Sequence, residues 1–174
     1  MRRTRPRSGA RICGCTSEAR SSAPQPRRSL HLHKLVDDAL SLSHHRLTNV
    51  EVDLKIPDEL EVFGRATELV QLLVNLIVNA CDAMDGLARP HIELRARRRG
   101  AMIQLEVEDA GPRPADEIVA RMFKERFTTR ADRDGTGLGL GICAQIVKDH
   151  RGSIRVDPEA RHTTIIVDLP VARG

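Results

Sequence analysis

Four glycines at alternate positions, Gly135, Gly137, Gly139 and Gly141, stand directly before an apolar helical pattern in the segment 131–150. The first N–H groups of a helix have no intrahelical partners and lie at its positive dipole end. Glycine lets a ligand approach this backbone more closely than a Cβ would permit. Because phosphate is the natural occupant of such a turn, the stretch predicts a phosphate-binding helix start.

This stretch matches neither of two common phosphate loops. A P-loop needs a lysine directly after its last glycine, and none follows here before Lys148. A dinucleotide fingerprint counted from Gly135 requires glycine where Leu140 stands. A flexible turn is the alternative, but a linker has no need of Leu138 and Leu140 between its glycines. The pattern therefore predicts a third kind of nucleotide loop.

Composition narrows the class of protein. The 174 residues suffice for one domain plus a tail, and the core must be aliphatic because there is no Trp or Tyr and only three Phe. The same scarcity disfavours base-stacking recognition of nucleic acid. Much of the basic excess falls in the first 28 residues, where Glu18 is the only acid, so we expect no nucleic-acid partner for the folded part.

Residues 1–29 are rich in Arg and Ser and lack periodicity, so they are expected to be a disordered tail or translated upstream sequence. Residues 30–174 are expected to form the folded domain. No apolar run approaches the ~20 residues of a membrane span, so no membrane segment is expected. The four cysteines lack the spacing of a metal site, which favours reduced thiols in a cytoplasmic protein.

Hydrophobic periodicity predicts alternating helices and strands. The predicted helices are 30–47, 65–84, 116–123 and 137–150, and the predicted strands are 50–56, 60–64, a hairpin within 91–111, 153–157 and 163–170. Antiparallel hairpins with helices between them predict an α+β fold, a two-layer sandwich with a mixed, mostly antiparallel sheet and helices on one face.

The second predicted helix carries amides on its apolar side. Asn75 and Asn79 are four residues apart and share one face, which Gln71 extends by a turn. Amides among apolar neighbours are costly unless they find partners. Since Asn carbonyl oxygens suit Mg²⁺, Asn79 is a candidate ligand with Asn75 beside it. Buried amides that cap neighbouring backbone are the alternative.

A carboxylate ends one strand of the predicted hairpin. Alternation carries this strand to Asp109, and Gly111 breaks it. A carboxylate there can accept a hydrogen bond from an exocyclic amine such as adenine N6. The alternative is a plain turn, which Asp-x-Gly also marks.

In this order, the helix asparagines, the strand-end Asp-x-Gly and the glycine-rich helix start resemble the catalytic ATP-binding domain of sensor histidine kinases, which are Bergerat-type ATPases. NLIVNACDAM is similar to the N box, DAGPRP to the G1 box, MFKERFTTR to the F box and GTGLGLGI to the G2 box. The resemblance covers roughly residues 30–170. It implies the Bergerat fold, ATP and Mg²⁺ as cofactors, and a mobile ATP lid over 113–134 that Phe123 and Phe127 anchor.

The resemblance also implies roles for individual residues. Asn79 would ligate Mg²⁺, Asn75 would support the phosphates and Arg130 would reach the γ-phosphate, which makes these three the catalytic candidates. Asp109 would hold the adenine amine, with Thr163 helping through water. The residues expected to bind the nucleotide are Asn75, Asn79, Asp82, Asp109, Gly111, Phe127, Thr128, Gly135, Thr136, Gly137, Leu138, Gly139, Leu140 and Thr163.

The implied activity is that of a protein histidine kinase. The γ-phosphate of ATP would pass to a histidine on a separate dimerisation domain, and a response regulator would be a further partner. The open alternatives are a serine kinase of the anti-sigma-factor type, a non-catalytic ATP-dependent interaction module and, more remotely, a mitochondrial dehydrogenase kinase. Hydrolysing relatives such as gyrase and MutL place a Glu where Asn75 stands, so slow ATP hydrolysis is expected.

The G1 box departs from the family pattern. Arg113 replaces the second glycine of the G1 box, and Pro112 and Pro114 stiffen the same segment. Residues 42–49 superficially resemble a phospho-accepting His box, but they run directly into strand 50–56 with no room for a helical hairpin. His44 and His45 are therefore not expected to be acceptors, and the other histidines are expected at the surface.

Overall fold

A computed structural model describes residues 26–124 and 139–172 of the chain. Its strands are β1 Arg28–His31, β2 Glu51–Lys55, β3 Glu61–Gly64, β4 His91–Arg99, β5 Met102–Asp109, β6 Ser153–Val156 and β7 Thr163–Pro170. Its helices are α1 Leu32–Leu42, α2 Ala66–Ala83, α3 Asp116–Val119 and α4 Gly139–Asp149, with a 3₁₀ turn at His44–Arg46.

Five strands form the main sheet in the order β2-β4-β5-β7-β6. Only the β2–β4 pair is parallel among these neighbours, so the expected mixed, mostly antiparallel sheet is confirmed. A second, two-stranded sheet joins β1 to β3, with Arg28 opposite Gly64. Residues 28 and 29, assigned to the tail from the sequence, thus belong to a strand, and β3 lies outside the main sheet.

The two faces of the main sheet differ in chemistry because strand side chains alternate. Ile92 and Leu94 of β4 lie on the buried face with Leu105 and Val107 of β5. The helices cover this face, and the resulting core is aliphatic, as the composition predicts. The other face carries charged residues, many of which are paired across neighbouring strands.

Helix α2 is the central element of the helical layer. By length and composition alone, it is long and apolar enough to cross a membrane. Its buried residues face the core: Leu69, Leu72, Leu73, Leu76, Ile77 and Ala80. Elsewhere the same helix carries Glu68, Asn75 and Asp82, and it packs against α1, α4 and β5. The helix is therefore the core helix of a folded domain.

His150, at the end of α4, contradicts the expectation that the remaining histidines are exposed. Its side chain is 1% exposed. Nδ1 lies 2.8 Å from the carbonyl oxygen of Ile146, and Nε2 lies 3.1 Å from the backbone nitrogen of Arg65. A neutral imidazole has one donor and one acceptor, so both ring nitrogens are satisfied inside the core. The sequence around His150 gives no indication that the backbone of Arg65, 85 residues away, would be its partner.

The other departures from the predicted elements are small. The predicted helix 116–123 is only four residues long, α3, and turns continue to residue 124. His44 and His45 are exposed in the 3₁₀ turn that follows α1, shortly before β2. This arrangement agrees with the view that the HH pair does not belong to a His box.

Candidate nucleotide-binding site

One face of α2 carries the polar residues of the site. Asn75, Asn79 and Asp82 are separated by four and three residues, so they point within about 60° of one another around the helix axis. All three are half-buried. The apolar stripe of the same helix is held in the core, which fixes the direction in which this polar row projects.

At one end of the row, Asn75 joins α2 to the start of α4. Its Nδ2 donates to the carbonyl oxygen of Gly139 at 3.3 Å, and its Oδ1 accepts from Gln71 Nε2 at 2.8 Å. The thiol of Cys143, one turn further along α4, donates to the Leu72 carbonyl oxygen at 3.7 Å. Asn75 therefore has both of its amide functions engaged, and it holds the helix start in position.

The described start of α4 is open. A Cβ added at Gly139 would meet no atom within 4 Å among its described neighbours. Leu140 is half-buried and packs against the core. Among the described residues nothing crowds the side-chain position of Gly139, while Leu140 anchors the helix, an arrangement compatible with a phosphate-binding helix start.

Asn79 lies one helical turn from Asn75 and differs from it in having no hydrogen-bond partner among the described residues. Within residues 26–124 and 139–172, no side-chain or backbone group bonds to its amide. The same part of the chain contains no cluster of three or more His, Cys, Asp or Glu side chains able to hold a metal ion. An unengaged amide oxygen fits a Mg²⁺ ion that takes most of its ligands from phosphate and water.

At the other end of the row, Asp109 closes β5. Its side chain is 3% exposed, and in register it lies opposite Thr163 on β7. Burial raises the pKa of Asp109 to about 6, against the opposing effects of the Gly111 N–H and the nearby His162. Oδ1 accepts from the Gly111 N–H at 2.8 Å, whereas Oδ2 has no partner among the described residues.

Gly111 lies where the end of β5 meets the end of α2. A Cβ at this position would lie 2.6 Å from Asp109 Oδ1 and 2.9 Å from the Ala83 carbonyl oxygen, so only glycine fits. Across the same corner, Thr163 Oγ1 donates to the Pro112 carbonyl oxygen at 3.3 Å. Helix α2 connects both ends of the site, since Asn75 and Ala83 are about 12 Å apart along its axis.

Residues 64–173 match the family described as "Histidine kinase-, DNA gyrase B-, and HSP90-like ATPase". The chain belongs to this family of ATP-binding domains. Within this family it is a sensor histidine kinase ATPase domain, because its similar relatives are sensor kinases. The two-component sensor PprA of Pseudomonas aeruginosa is 34% identical over 129 residues, covering 71% of the chain and 14% of PprA. The C4-dicarboxylate transport sensor DctB of Rhizobium meliloti is 33% identical over 145 residues, covering 81% and 23%.

Solved structures agree with this histidine kinase ATPase domain in fold. The mycobacterial sensor histidine kinase MprB superposes with a TM-score of 0.75 at 23% identity, covering 84% of the chain and 100% of that structure. The catalytic domain of histidine kinase ThkA superposes with a TM-score of 0.74 at 25% identity, covering 84% and 96%. The chain itself spans less than a quarter of the length of PprA or DctB.

The structure brings several predicted residues of the ATPase domain together. Asn75 contacts Gly139, while Asp109, Gly111 and Thr163 meet at the other end of α2. Seven of the fifteen predicted residues lie outside the described residues: Phe127, Thr128, Arg130, Gly135, Thr136, Gly137 and Leu138. Phe123 is half-buried and packs on the core, whereas its expected companion Phe127 belongs to that outside set.

Sequence reasoning missed Arg46. Its guanidinium pairs with the Asp82 carboxylate, which places a cation beside the polar row of α2. The two residues are 36 positions apart and come from different helical segments, so no local pattern signals the pairing. His162 was also missed, although its proximity to Asp109 follows from its place directly before Thr163.

Proposed function

We propose that this histidine kinase ATPase domain binds Mg·ATP along α2 and donates the γ-phosphate to a histidine on a separate dimerisation domain. The observation that carries the proposal is the amide of Asn79, which has no hydrogen-bond partner in the part of the chain that the structure describes. This amide lies between the start of α4 and the buried carboxylate of Asp109, whose Oδ2 has no partner within residues 26–124 and 139–172. The Asn79 amide suits a metal ion, the start of α4 suits the phosphates, and the Asp109 carboxylate suits the purine amine.

Asp109 and Thr163 would recognise the base. The free Oδ2 of Asp109 would accept the adenine N6 amine, since a desolvated carboxylate is a strong acceptor. Gly111 would let the ring lie against the backbone, because no Cβ stands in the way. Thr163 would assist through a water molecule, using the hydroxyl that also contacts Pro112.

Asn79 would hold Mg²⁺ through its amide oxygen, and the bound ion would neutralise charge on the phosphates. The start of α4 would supply N–H groups and a favourable dipole, as Gly135 and Gly137 would in the preceding residues outside the described part. Arg130, also outside it, would reach the γ-phosphate. Transfer would then break the bond to the β-phosphate oxygen and form one to an imidazole nitrogen, a step that depends mainly on positioning.

We expect only slow hydrolysis of ATP by this domain. Asn75 is a neutral amide whose two functions are taken by Gln71 and Gly139, so it has nothing to offer an attacking water as a base. Turnover comparable to that of a dedicated ATPase would contradict this expectation. We also infer that the domain works in the cytoplasm, on a response regulator downstream of the phosphohistidine.

The decisive experiment compares wild type with Asn79→Ala. Mg·ATP is titrated into each, and γ-labelled ATP is then offered together with a separately purified dimerisation domain from a related sensor kinase. Loss of Mg-dependent binding in Asn79→Ala and acid-labile label on the partner's histidine would support the proposal. The matched control is Gln145→Ala, which removes an exposed amide of α4 whose side-chain partner among the described residues is Asp149. Acid-stable label on serine would instead favour the serine kinase.

A further inference from the structure

Arg113, which replaces the second glycine of the G1 box, holds the turn between β6 and β7. Its Nη1 lies 2.9 Å from the carbonyl oxygen of Asp157, 2.7 Å from that of Pro158 and 3.4 Å from that of Ala160. Nη2 lies 3.4 Å from Asp116 Oδ1, a weaker contact to an exposed side chain. Nη1 thus donates its two N–H groups to the two nearer carbonyl oxygens of a single turn, and the contact with Ala160 is a longer, shared one.

The turn that Arg113 holds leads directly into the base end of the proposed site. Thr163 follows it and pairs in register with Asp109. His162, in the same turn, lies near enough to Asp109 to lower its pKa against the larger effect of burial. The Thr163 hydroxyl bonds back to Pro112, the neighbour of Arg113. The two chain segments that form this corner are therefore joined twice, once through Thr163 and once through Arg113.

The backbone around Arg113 has little freedom of its own. Gly111 and Arg113 each precede a proline, which disfavours the α region for both, and Pro112 and Pro114 have fixed φ angles. Replacing the glycine of the family pattern with Arg also removes the conformations that only glycine adopts. The segment is thus held by its own covalent restrictions and by the contacts of one side chain.

We infer that Arg113 is a positioning residue that pre-organises the adenine end of the site and thereby increases selectivity for adenine. The inference rests on the proposed nucleotide function. A site whose walls are ordered before binding loses less conformational entropy when the ligand arrives. The benefit falls on the contacts of Asp109 and Thr163 with the base, since the phosphate end is anchored independently by Asn75 and Gly139.

The test is Arg113→Gly, which restores the D-x-G-x-G pattern, with ATP and ITP as probes. ITP lacks the exocyclic amine and shares the triphosphate. We expect the Kd for Mg·ATP to rise about tenfold and the Kd for Mg·ITP to change less than about twofold. The ratio of the ITP Kd to the ATP Kd should therefore fall by a factor of at least about five. A role limited to overall stability would weaken both nucleotides equally and would overturn the inference, as would unchanged selectivity.

Two further variants keep the test decisive. Asp116→Ala removes only the weak side-chain contact and should leave both Kd values unchanged. If this variant loses selectivity, the ion pair with Asp116 and not the carbonyl contacts carries the effect, which would contradict the inference as stated. If Arg113→Gly does not fold, Arg113→Lys retains the charge without the planar donors, and selectivity should fall about threefold. Wild type that binds neither nucleotide would refute the proposed function itself. Wild type that binds both equally would refute base recognition and this inference alone.

Discussion

Asp109 and Asp168 lie on the neighbouring strands β5 and β7 but on opposite faces of the sheet. Asp109 accepts from one donor among the described residues, the Gly111 N–H, and burial raises its pKa to about 6. Burial also acts to raise the pKa of Asp168, but hydrogen bonds from Arg155, Ser153 and Gln104 outweigh it and hold that pKa below the ordinary value. Asp109 therefore has few hydrogen-bond donors among the described residues, whereas Asp168 has three.

The two faces of the sheet differ in the same way as the two aspartates. On the outer face, Lys55 pairs with Glu93 at 2.7 Å, and Arg95 pairs with Glu106 at 3.2 Å and with Glu108 at 2.9 Å. Gln104 then bonds to Asp168 at 3.1 Å, and Asp168 pairs with Arg155, so that polar contacts cross all five strands. The charges of this network are paired with one another, whereas on the helical side Asn79 and Asp109 keep, among the described residues, capacity for a ligand.

The largest effect is expected when Asp109 loses its charge. Asp109→Asn keeps an oxygen for the Gly111 N–H but presents an NH₂ group, or a weaker acceptor, to the adenine amine. We expect the Kd for Mg·ATP to rise about 100-fold. Isothermal titration calorimetry would measure it, with Asp168→Asn as the matched control on the other face. A change below threefold in Asp109→Asn would remove Asp109 from the site.

The same substitution is expected to stabilise the domain without ligand. The raised pKa means that the folded domain holds the Asp109 proton more tightly than the unfolded chain, so the stability contributed by this group falls as pH rises from 3.8 to about 6. At pH 7, Asp109→Asn should increase the free energy of unfolding by about 2 kcal/mol. Urea unfolding at pH 7 and pH 4 would show a gain that shrinks at the lower pH. A loss of stability at pH 7 would contradict the assignment.

Binding of the base should itself depend on pH in the same window. Protonation of Asp109 below about 6 removes the charge that accepts the amine. Adenosine is the probe, because it carries no titrating phosphate. We expect its Kd to rise about tenfold between pH 7 and pH 5. Asp168→Asn should retain this profile, and a flat profile in wild type would show that the Asp109 charge takes no part in binding.

The smallest effect is expected on the outer face. Above its ordinary pKa, Asp168 contributes stability that is lost as pH falls through its lowered value, the opposite sign to Asp109. Asp168→Asn should lower the free energy of unfolding at pH 7 by about 1 kcal/mol, since Arg155 is substantially exposed to solvent. Urea unfolding in low and high salt would show the loss shrinking as salt screens the pair. A gain in stability would contradict the contrast between the faces.

Local patterns were sufficient for most of the elements. Helical periodicity located α2 to within a residue at each end, and alternation located β4, β5 and β7. The amide row on α2 and the carboxylate at the end of β5 could also be predicted, because each depends on spacing along one element. The family could be predicted from the order of the four motifs, which the comparison with known domains confirms.

By itself, then, the sequence determined the periodic elements, the aliphatic core and the residue types available at each motif. The tertiary structure decided which of them are partners: β1 with β3, Arg46 with Asp82, and Arg113 with the turn before β7. It also decided that His150 is buried while His44 and His45 are exposed. The physical reason is distance along the chain, since periodicity reports a residue's own face, whereas burial and pairing depend on which remote segment covers that face.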